Sequence, residues 1–273
     1  MNLIAIDIGN TAVKAAFFLD DNEQSLVTFS LSNESFEGQF SRFLADCWDQ
    51  TPLVKAATEP TKDAVIVVSS VNPDLTEQVR RMCSDELGEK IKVIGQDVPL
   101  PLETGVDNPL EVGTDRLVTA AAAYAVVEDA VIVADFGTAV TIDLVDESGV
   151  FVGGAISPGF EMALAAMHQY TARLPQVAMQ KPESVYGVNT AEAMRAGVYW
   201  AAVGLLETIC RKYAEELGRW PHVILTGGAA ATFKDDCDFV DSYVPDLSVR
   251  GIVVAYKKSL FEADDIERLS DTS

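Results

Sequence analysis

Apolar and polar positions follow two periods along this chain, and the change from one to the other marks its elements. Residues 3–7, 13–19 and 25–31 are short, apolar or β-rich, and separated by turn residues such as Asp20-Asp21-Asn22. Such runs with short connections predict an antiparallel meander. Over 35–49 the apolar Phe36, Phe40, Phe43 and Leu44 recur at helical spacing and predict an amphipathic helix. The run 64–70 suits a buried strand, Asn72-Pro73 opens a helix to about Leu87, and 90–94 is a further short strand. The first half therefore reads β-β-β-α-β-α-β.

A loop rich in Pro, Gly and acidic residues covers 97–112, and an alanine-rich helix covers 115–127. The opening pattern then returns. Strands are expected at 130–135, 140–145 and 150–156, helices at 160–169 and 191–217, and a strand at 223–225. A short helix over 228–234 and a closing helix over 249–263 follow, and the polar residues 264–273 read as frayed.

The two halves share an order: a strand ending on aspartate, a Gly-Thr turn, then a strand pair. Asp7-Ile-Gly-Asn-Thr and Asp135-Phe-Gly-Thr-Ala align in chemistry as well as position. Either turn alone reads equally as the start of a hairpin, because Asp and Gly are common there. The pair points to phosphate. Glycine admits close approach of backbone N–H groups to an oxygen-rich ligand, Thr and Asn add neutral donors, and an aspartate beside phosphates suits Mg²⁺. Lys14 lies within reach of a phosphate, and Thr226-Gly-Gly228, between a strand and a helix, suits the flat face of an adenosine. Neither G-x-x-x-x-G-K-[ST] nor G-x-G-x-x-G occurs, which counts against P-loop and Rossmann folds.

Charge and cysteine content narrow the function classes. The chain has 273 residues, enough for one large or two ordinary domains. With 42 acidic against 20 basic residues it is a poor general binder of nucleic acid or anionic membrane. Cys47, Cys83, Cys210 and Cys237 lack metal-ligand spacing and read as reduced thiols; His168 and His222 stand outside any metal or triad motif. Acid–base chemistry therefore falls to carboxylates. No apolar stretch approaches the ~20 residues that span a bilayer, and the apolar start reads as a strand rather than a leader; a cytoplasmic protein is expected.

The order Asp-x-Gly-Asn-Thr, Asp-x-Gly-Thr-Ala, Thr-Gly-Gly resembles the actin and hexokinase superfamily. More closely, the chain is similar to type III pantothenate kinases. The segments that carry this are Asp7-Ile-Gly-Asn-Thr-Ala-Val-Lys14, Gly113-Thr-Asp-Arg116, Asp135-Phe-Gly-Thr-Ala-Val-Thr141, Gly153-Gly-Ala-Ile-Ser-Pro-Gly159, Thr171-Ala-Arg-Leu-Pro175 and Thr226-Gly-Gly228. The resemblance implies an α/β fold of two lobes with duplicated ribonuclease-H-like (actin-like ATPase) topology and a nucleotide cleft between them. On this reading, 1–114 forms a phosphate-binding lobe, 115–262 a second lobe with the adenosine motif and a dimer interface, and 263–273 a polar tail.

The implied activity is phosphorylation of pantothenate by ATP, the first step toward coenzyme A, by a homodimer that uses Mg²⁺ and a monovalent cation, K⁺ or NH₄⁺. Carried over by position, Asp7, Ile8, Gly9, Asn10, Thr11, Ala12, Val13 and Lys14 bind ATP, with Thr138 from the second turn. Asp7 is also a candidate for Mg²⁺, and Asp135 ligates the monovalent cation. Gly113, Thr114, Asp115, Arg116 and Thr190 bind pantothenate, and Asp115 is the catalytic base. A carboxylate suits that role, since a primary hydroxyl is a weak nucleophile, and a guanidinium suits the pantothenate carboxylate. The plainer reading is that Asp115 and Arg116 cap and solvate a helix start, although arginine at that end opposes the dipole. Two departures stand out. Val106 lies where the family usually has an aromatic, often Tyr, and Ala196-Gly197 and Ala201-Ala202 alter the pattern after Thr190. The alternatives are a kinase of the same class acting on another small hydroxy acid, and a regulatory protein that binds nucleotide without turnover.

Overall fold

The computed structural model describes residues 1–55, 60–232 and 234–270. Two compact units make up the chain. The first holds Met1–Pro101, Leu110–Ala122 and the C-terminal segment from Ser248; the second holds Leu102–Pro109 and Ala123–Leu247.

In the first unit, β1 (Leu3–Ile8) pairs antiparallel with β2 (Ala12–Leu19), which pairs antiparallel with β3 (Asn22–Ser30). A separate small hairpin joins β4 (Leu53–Lys55) and β5 (Pro60–Lys62). β6 (Val65–Ser70) runs parallel to β1, and β7 (Ile91–Val93) parallel to β6. The sheet order is β3-β2-β1-β6-β7.

Side chains on a strand alternate between faces, and here both faces are covered. Ile4, Ile6, Ile8, Val13, Ala15 and Phe17 pack against α1 (Phe36–Gln50) and α2 (Pro73–Leu87). Phe36, Phe40, Phe43, Leu44, Cys47 and Trp48 form the buried stripe of α1. α2 begins where Asn72 accepts a hydrogen bond from the Leu75 N–H at 3.2 Å and ends at Gly88 in the left-handed region. On the other face Leu3, Ala5, Ala16, Phe18 and Val67 meet Val118 of α3 (Thr114–Val127) and Val249, Ile252, Ala255 and Tyr256 of α6 (Leu247–Ser270). The centre of the sheet is thus apolar on both sides, which is why β1 and β6 read as continuous hydrophobic runs.

The second unit repeats this order. β9 (Val131–Phe136) pairs antiparallel with β10 (Ala139–Val145), and β10 antiparallel with β11 (Val150–Pro158). β12 (His222–Thr226) is parallel to β9, and β13 (Ser242–Tyr243) parallel to β12. The succession β11-β10-β9-β12-β13 matches β3-β2-β1-β6-β7 strand for strand, with the added β8 (Glu103–Thr104) beside β11. Ile132, Ala134, Phe136, Val140, Ile142 and Leu144 pack against Leu164 of α4 (Phe160–Gln169) and Val198, Tyr199, Val203 and Leu206 of α5 (Thr190–Leu217). The duplication expected from the two turns is present in the fold.

Several elements differ from the sequence expectation. The helix expected over 228–234 is replaced by two short 3₁₀ turns, Ala230–Thr232 and Lys234–Asp236, with residue 233 outside the described residues; seven residues are too few to offset helix nucleation. The closing helix is longer at both ends and runs to Ser270, into the expected tail, because no proline or glycine follows Gly251 to stop it. Residues 271–273 of that tail lie outside the described residues. The strands β4, β5, β8 and β13 have two or three residues each, too short to show alternation. No helix among the described residues is long and apolar enough to cross a membrane.

α6 packs closely on α3 at Gly251, where an added Cβ would lie 1.8 Å from the Val118 carbonyl oxygen. Backbone cannot yield that distance without separating the helices. Gly251→Ala is expected to cost about 3 kcal/mol or more, at the upper end of overpacking effects. Urea denaturation checks this, and an unchanged midpoint would overturn it.

Candidate active site

The central strands of the two units end alike. In β1 and in β9 every residue is buried except the fifth, Asp7 or Asp135, which is half-buried. Each strand then enters a turn closed by its glycine: the Gly9 N–H donates to the Ala12 carbonyl at 3.0 Å, and the Gly137 N–H to the Ala139 carbonyl at 3.1 Å. Asn10 and Thr11 in one turn, and Gly137 and Thr138 in the other, are exposed.

In the first unit, Asp7 has Lys14 opposite it on β2 and Ser69 opposite it on β6. Its Oδ2 accepts the Ser248 hydroxyl at 2.7 Å, from the first turn of α6. The Ser69 hydroxyl in turn reaches Thr114 Oγ1 at 3.2 Å. Thr114 closes this knot: its Oγ1 accepts the Ser70 N–H at 3.2 Å and donates to the Ser70 carbonyl at 2.9 Å. The start of α3 is thereby tied to the end of β6, one strand over from Asp7.

This knot sets Asp115. The Gly113 carbonyl accepts the N–H groups of Arg116 and Leu117 at 3.1 and 3.4 Å, which begins the helix. Asp115 Oδ1 accepts the Arg116 N–H at 2.8 Å. A Cβ at Gly113 would lie 2.4 Å from that same Oδ1, so glycine leaves the carboxylate its place. Burial pushes the Asp115 carboxyl above its ordinary value, while the backbone N–H and guanidinium of Arg116 pull the other way. A carboxylate of raised proton affinity in a turn at a sheet end suits a general base.

The second unit holds Asp135, Thr138 and Thr190. Asp135 has Thr141 opposite it on β10 and Thr226 opposite it on β12. Gly227, at φ +94°, passes so close that a Cβ would lie 2.3 Å from Asp135 Oδ1 and 2.6 Å from the Phe136 nitrogen; only glycine fits. Gly159 packs as tightly on the turn, where a Cβ would meet the Gly137 and Thr138 carbonyl oxygens at 2.5 Å. Thr226 is buried, and its hydroxyl accepts the Leu247 N–H at 3.3 Å. The Thr226-Gly-Gly228 segment therefore braces Asp135 directly. Thr190 is the first residue of α5, exposed, next to Asn189, which accepts the Glu192 N–H at 3.0 Å. Val106 is half-buried, with its Cγ1 3.7 Å from where a Cβ on Gly153 would sit.

Sequence reasoning missed Ser69, Ser248 and the bracing role of Gly227. Ser248 lies 241 residues from its partner, and no local pattern carries such a contact. Gly227 carried a signal, the paired glycines, but their packing target was not legible. His168 is exposed and its Nδ1 lies 2.8 Å from the Leu174 carbonyl. Tyr199 is fully buried.

Burial of Asp115 carries a testable linkage. Because the folded pKa is raised above 3.8, the carboxyl contributes stability at pH below the ordinary value, and that contribution is lost as pH rises through the folded pKa. Asp115→Asn, which has no charge to bury, is expected to unfold at higher urea concentration than the parent at pH 7, the gap closing toward pH 4. Equal midpoints at pH 7 would contradict this.

The family profile of type III pantothenate kinase matches residues 3–212. The type III pantothenate kinase of Ruegeria pomeroyi is 38% identical over 93% of this chain and 96% of its own length. That of Dehalococcoides mccartyi is 33% identical over 93% and 97%, and that of Brevibacillus brevis 32% identical over 94% and 99%. Among solved structures, a Baf family transcriptional activator from Campylobacter jejuni superposes with a TM-score of 0.57 at 20% identity, covering 97% of this chain and all of its own. Component A of (R)-2-hydroxyglutaryl-CoA dehydratase from Acidaminococcus fermentans gives 0.51 at 12% identity, covering 95% and 99%. These two share the fold. On the family profile and the near full-length relatives, the chain belongs to the type III pantothenate kinase family.

Proposed function

We propose that the chain transfers the γ-phosphoryl group of ATP to the primary hydroxyl of pantothenate, giving 4'-phosphopantothenate and ADP. The observation that carries this reading is Asp115, a partly buried carboxylate of raised proton affinity in the Gly113-Thr-Asp-Arg116 turn, tied through Thr114 to the strand end beside Asp7.

In the proposed mechanism Asp115 accepts the proton of the pantothenate hydroxyl as that oxygen attacks the γ-phosphorus in line and ADP leaves. Arg116 binds the pantothenate carboxylate; Gly113, Thr114 and Thr190 complete its contacts. The turn Gly9, Asn10 and Thr11 offers N–H and hydroxyl donors to phosphate oxygens, with Lys14 adding charge and Thr138 a further ATP contact. Ser248 and Ser69 act as positioning residues, one through Asp7 and the other through Thr114.

A divalent cation, Mg²⁺, accompanies ATP and neutralises charge on its phosphates. Among the described residues no three His, Cys, Asp or Glu side chains converge on one point. Asp7, a half-buried carboxylate near the end of β1, would supply one such ligand, since Mg²⁺ takes one or two carboxylates with water and phosphate for the rest. Asp135, half-buried with Gly227 backbone against its Oδ1, offers hard oxygen to K⁺ or NH₄⁺. A homodimer is part of the proposal; Val152, Ile156, Met162 and Tyr170 leave apolar surface exposed in the second unit, which a second copy would cover.

Release of ADP from ATP, Mg²⁺ and K⁺ should depend on added pantothenate. Asp115→Asn is expected to lower kcat by about 10²-fold or more with little change in ATP affinity. Arg116→Lys is expected to raise KM for pantothenate, since Lys lacks the bidentate fork. ADP release with another hydroxy acid alone would favour a different acceptor. ATP binding without turnover on any acceptor would favour a regulatory role.

A further inference from the structure

A pocket of about 500 Å³ opens in the first unit. Trp48 of α1, Ile66 near the start of β6, Glu89, Lys90 and Lys92 around the start of β7, and Tyr256 of α6 are among its walls. The Thr114 knot stands at the far end of β6, beside Asp7 on the paired β1. Along α6, Tyr256 follows Ser248 by eight residues, about 12 Å of helix. The pocket is therefore a place apart from the candidate active site.

Its walls combine two features. The first is uncompensated positive charge. Carboxylates outnumber cations 42 to 20, yet neither Lys90 nor Lys92 has an ion-pair partner among the described residues. Both are exposed and stand on one side of β7, where side chains alternate, while Ile91 and Val93 are buried on the other. Glu89 also lines the pocket without pairing to them. The second feature is a pair of fixed aromatic rings. Trp48 and Tyr256 are 8% and 9% exposed, so packing holds them in place, and Lys92 Nζ lies 5.2 Å from the Tyr256 ring centroid.

Two like charges two residues apart on a strand repel each other, and an anion that meets both relieves that repulsion. Rigid aromatic walls add affinity for a planar group at little entropic cost. We propose that this pocket binds a small anion carrying a planar ring, with its acid group on Lys90 and Lys92 and its ring against Tyr256 and Trp48. This inference does not depend on the kinase reading.

Calorimetric titration of the full chain tests it with four probes: phenyl phosphate, phenylacetate, inorganic phosphate and acetate. Saturable binding of phenyl phosphate or phenylacetate is expected, and the tighter of the two identifies the acid group. The ring-free counterpart should bind at least tenfold more weakly. The double substitution Lys90→Ala with Lys92→Ala should weaken the ring-bearing probe at least tenfold. Lys90→Arg with Lys92→Arg should retain it, which separates lost charge from lost fold. Absence of saturable binding, equal affinity for the ring-free anion, or affinity unchanged in the alanine pair would each overturn the proposal. Because the readout is binding alone, an inactive kinase would leave this result untouched.

Discussion

In each unit the architecture answers to a central strand that is buried along its length and yet ends on a carboxylate. A half-buried aspartate needs hydrogen-bonding or charged company, since desolvation opposes its ionised form. In the first unit part of that company arrives from the other end of the chain. Because β1 is apolar on both faces, it requires helices on both. α1 and α2, close in sequence, cover one face; α3 and α6 cover the other. Recruiting α6 to bury Leu3 and Ala5 also delivers the Ser248 hydroxyl to Asp7. Hydrophobic coverage and construction of the site are thus one event, and any change that loosens α6 reaches Asp7 through it.

The duplicated halves have kept the strand order and the glycine-closed turn but surround the aspartate differently. Around Asp7 stand hydroxyls and a cation: Ser248 and Ser69, Thr114 one step on, and Lys14 opposite it on β2. Around Asp135 the approach is backbone, with Gly227 and Gly159 packed where any Cβ would collide. Hydroxyls hold side chains through bonds that substitution can weaken by degrees. Glycine contacts tolerate no substitution, and Thr141 and Thr226 stand opposite the carboxylate on the neighbouring strands.

The elements and their duplication were largely legible in the sequence because both halves carry strong periodic signals. The stripe of α1, the Asn72-Pro73 start of α2 and the apolar runs of β1 and β9 each bury what the pattern marked. Asp7, Asp135 and the Gly113-Thr-Asp-Arg116 turn were found as motifs. What could not be read is the set of contacts that make these motifs a site. The Thr114 bond to Ser70 spans 44 residues and the Ser248 bond to Asp7 spans 241; such partners are chosen by topology, not by local pattern. β8 and β13, two residues each, are strands only because a neighbour offers an edge.

Arg116 shows how one residue reconciles opposing demands at Asp115. Burial is the larger influence and raises the proton affinity of the carboxyl; the Arg116 N–H and guanidinium lower it. A base must be ionised before reaction yet bind the proton well during it. Burial alone would drive Asp115 toward the protonated state, whereas a fully solvated carboxylate would be too weak a base. Arginine at a helix N-terminus opposes the macrodipole, so helix stability does not explain its presence. Its charge beside Asp115 opposes the effect of burial on that carboxyl, as the proposed base requires. The same guanidinium is the group proposed to hold the pantothenate carboxylate, so bringing the acceptor into the site would draw part of that positive charge away from Asp115. Proton affinity at the base would then rise when the acceptor is in place, which couples acceptor binding to readiness for proton transfer.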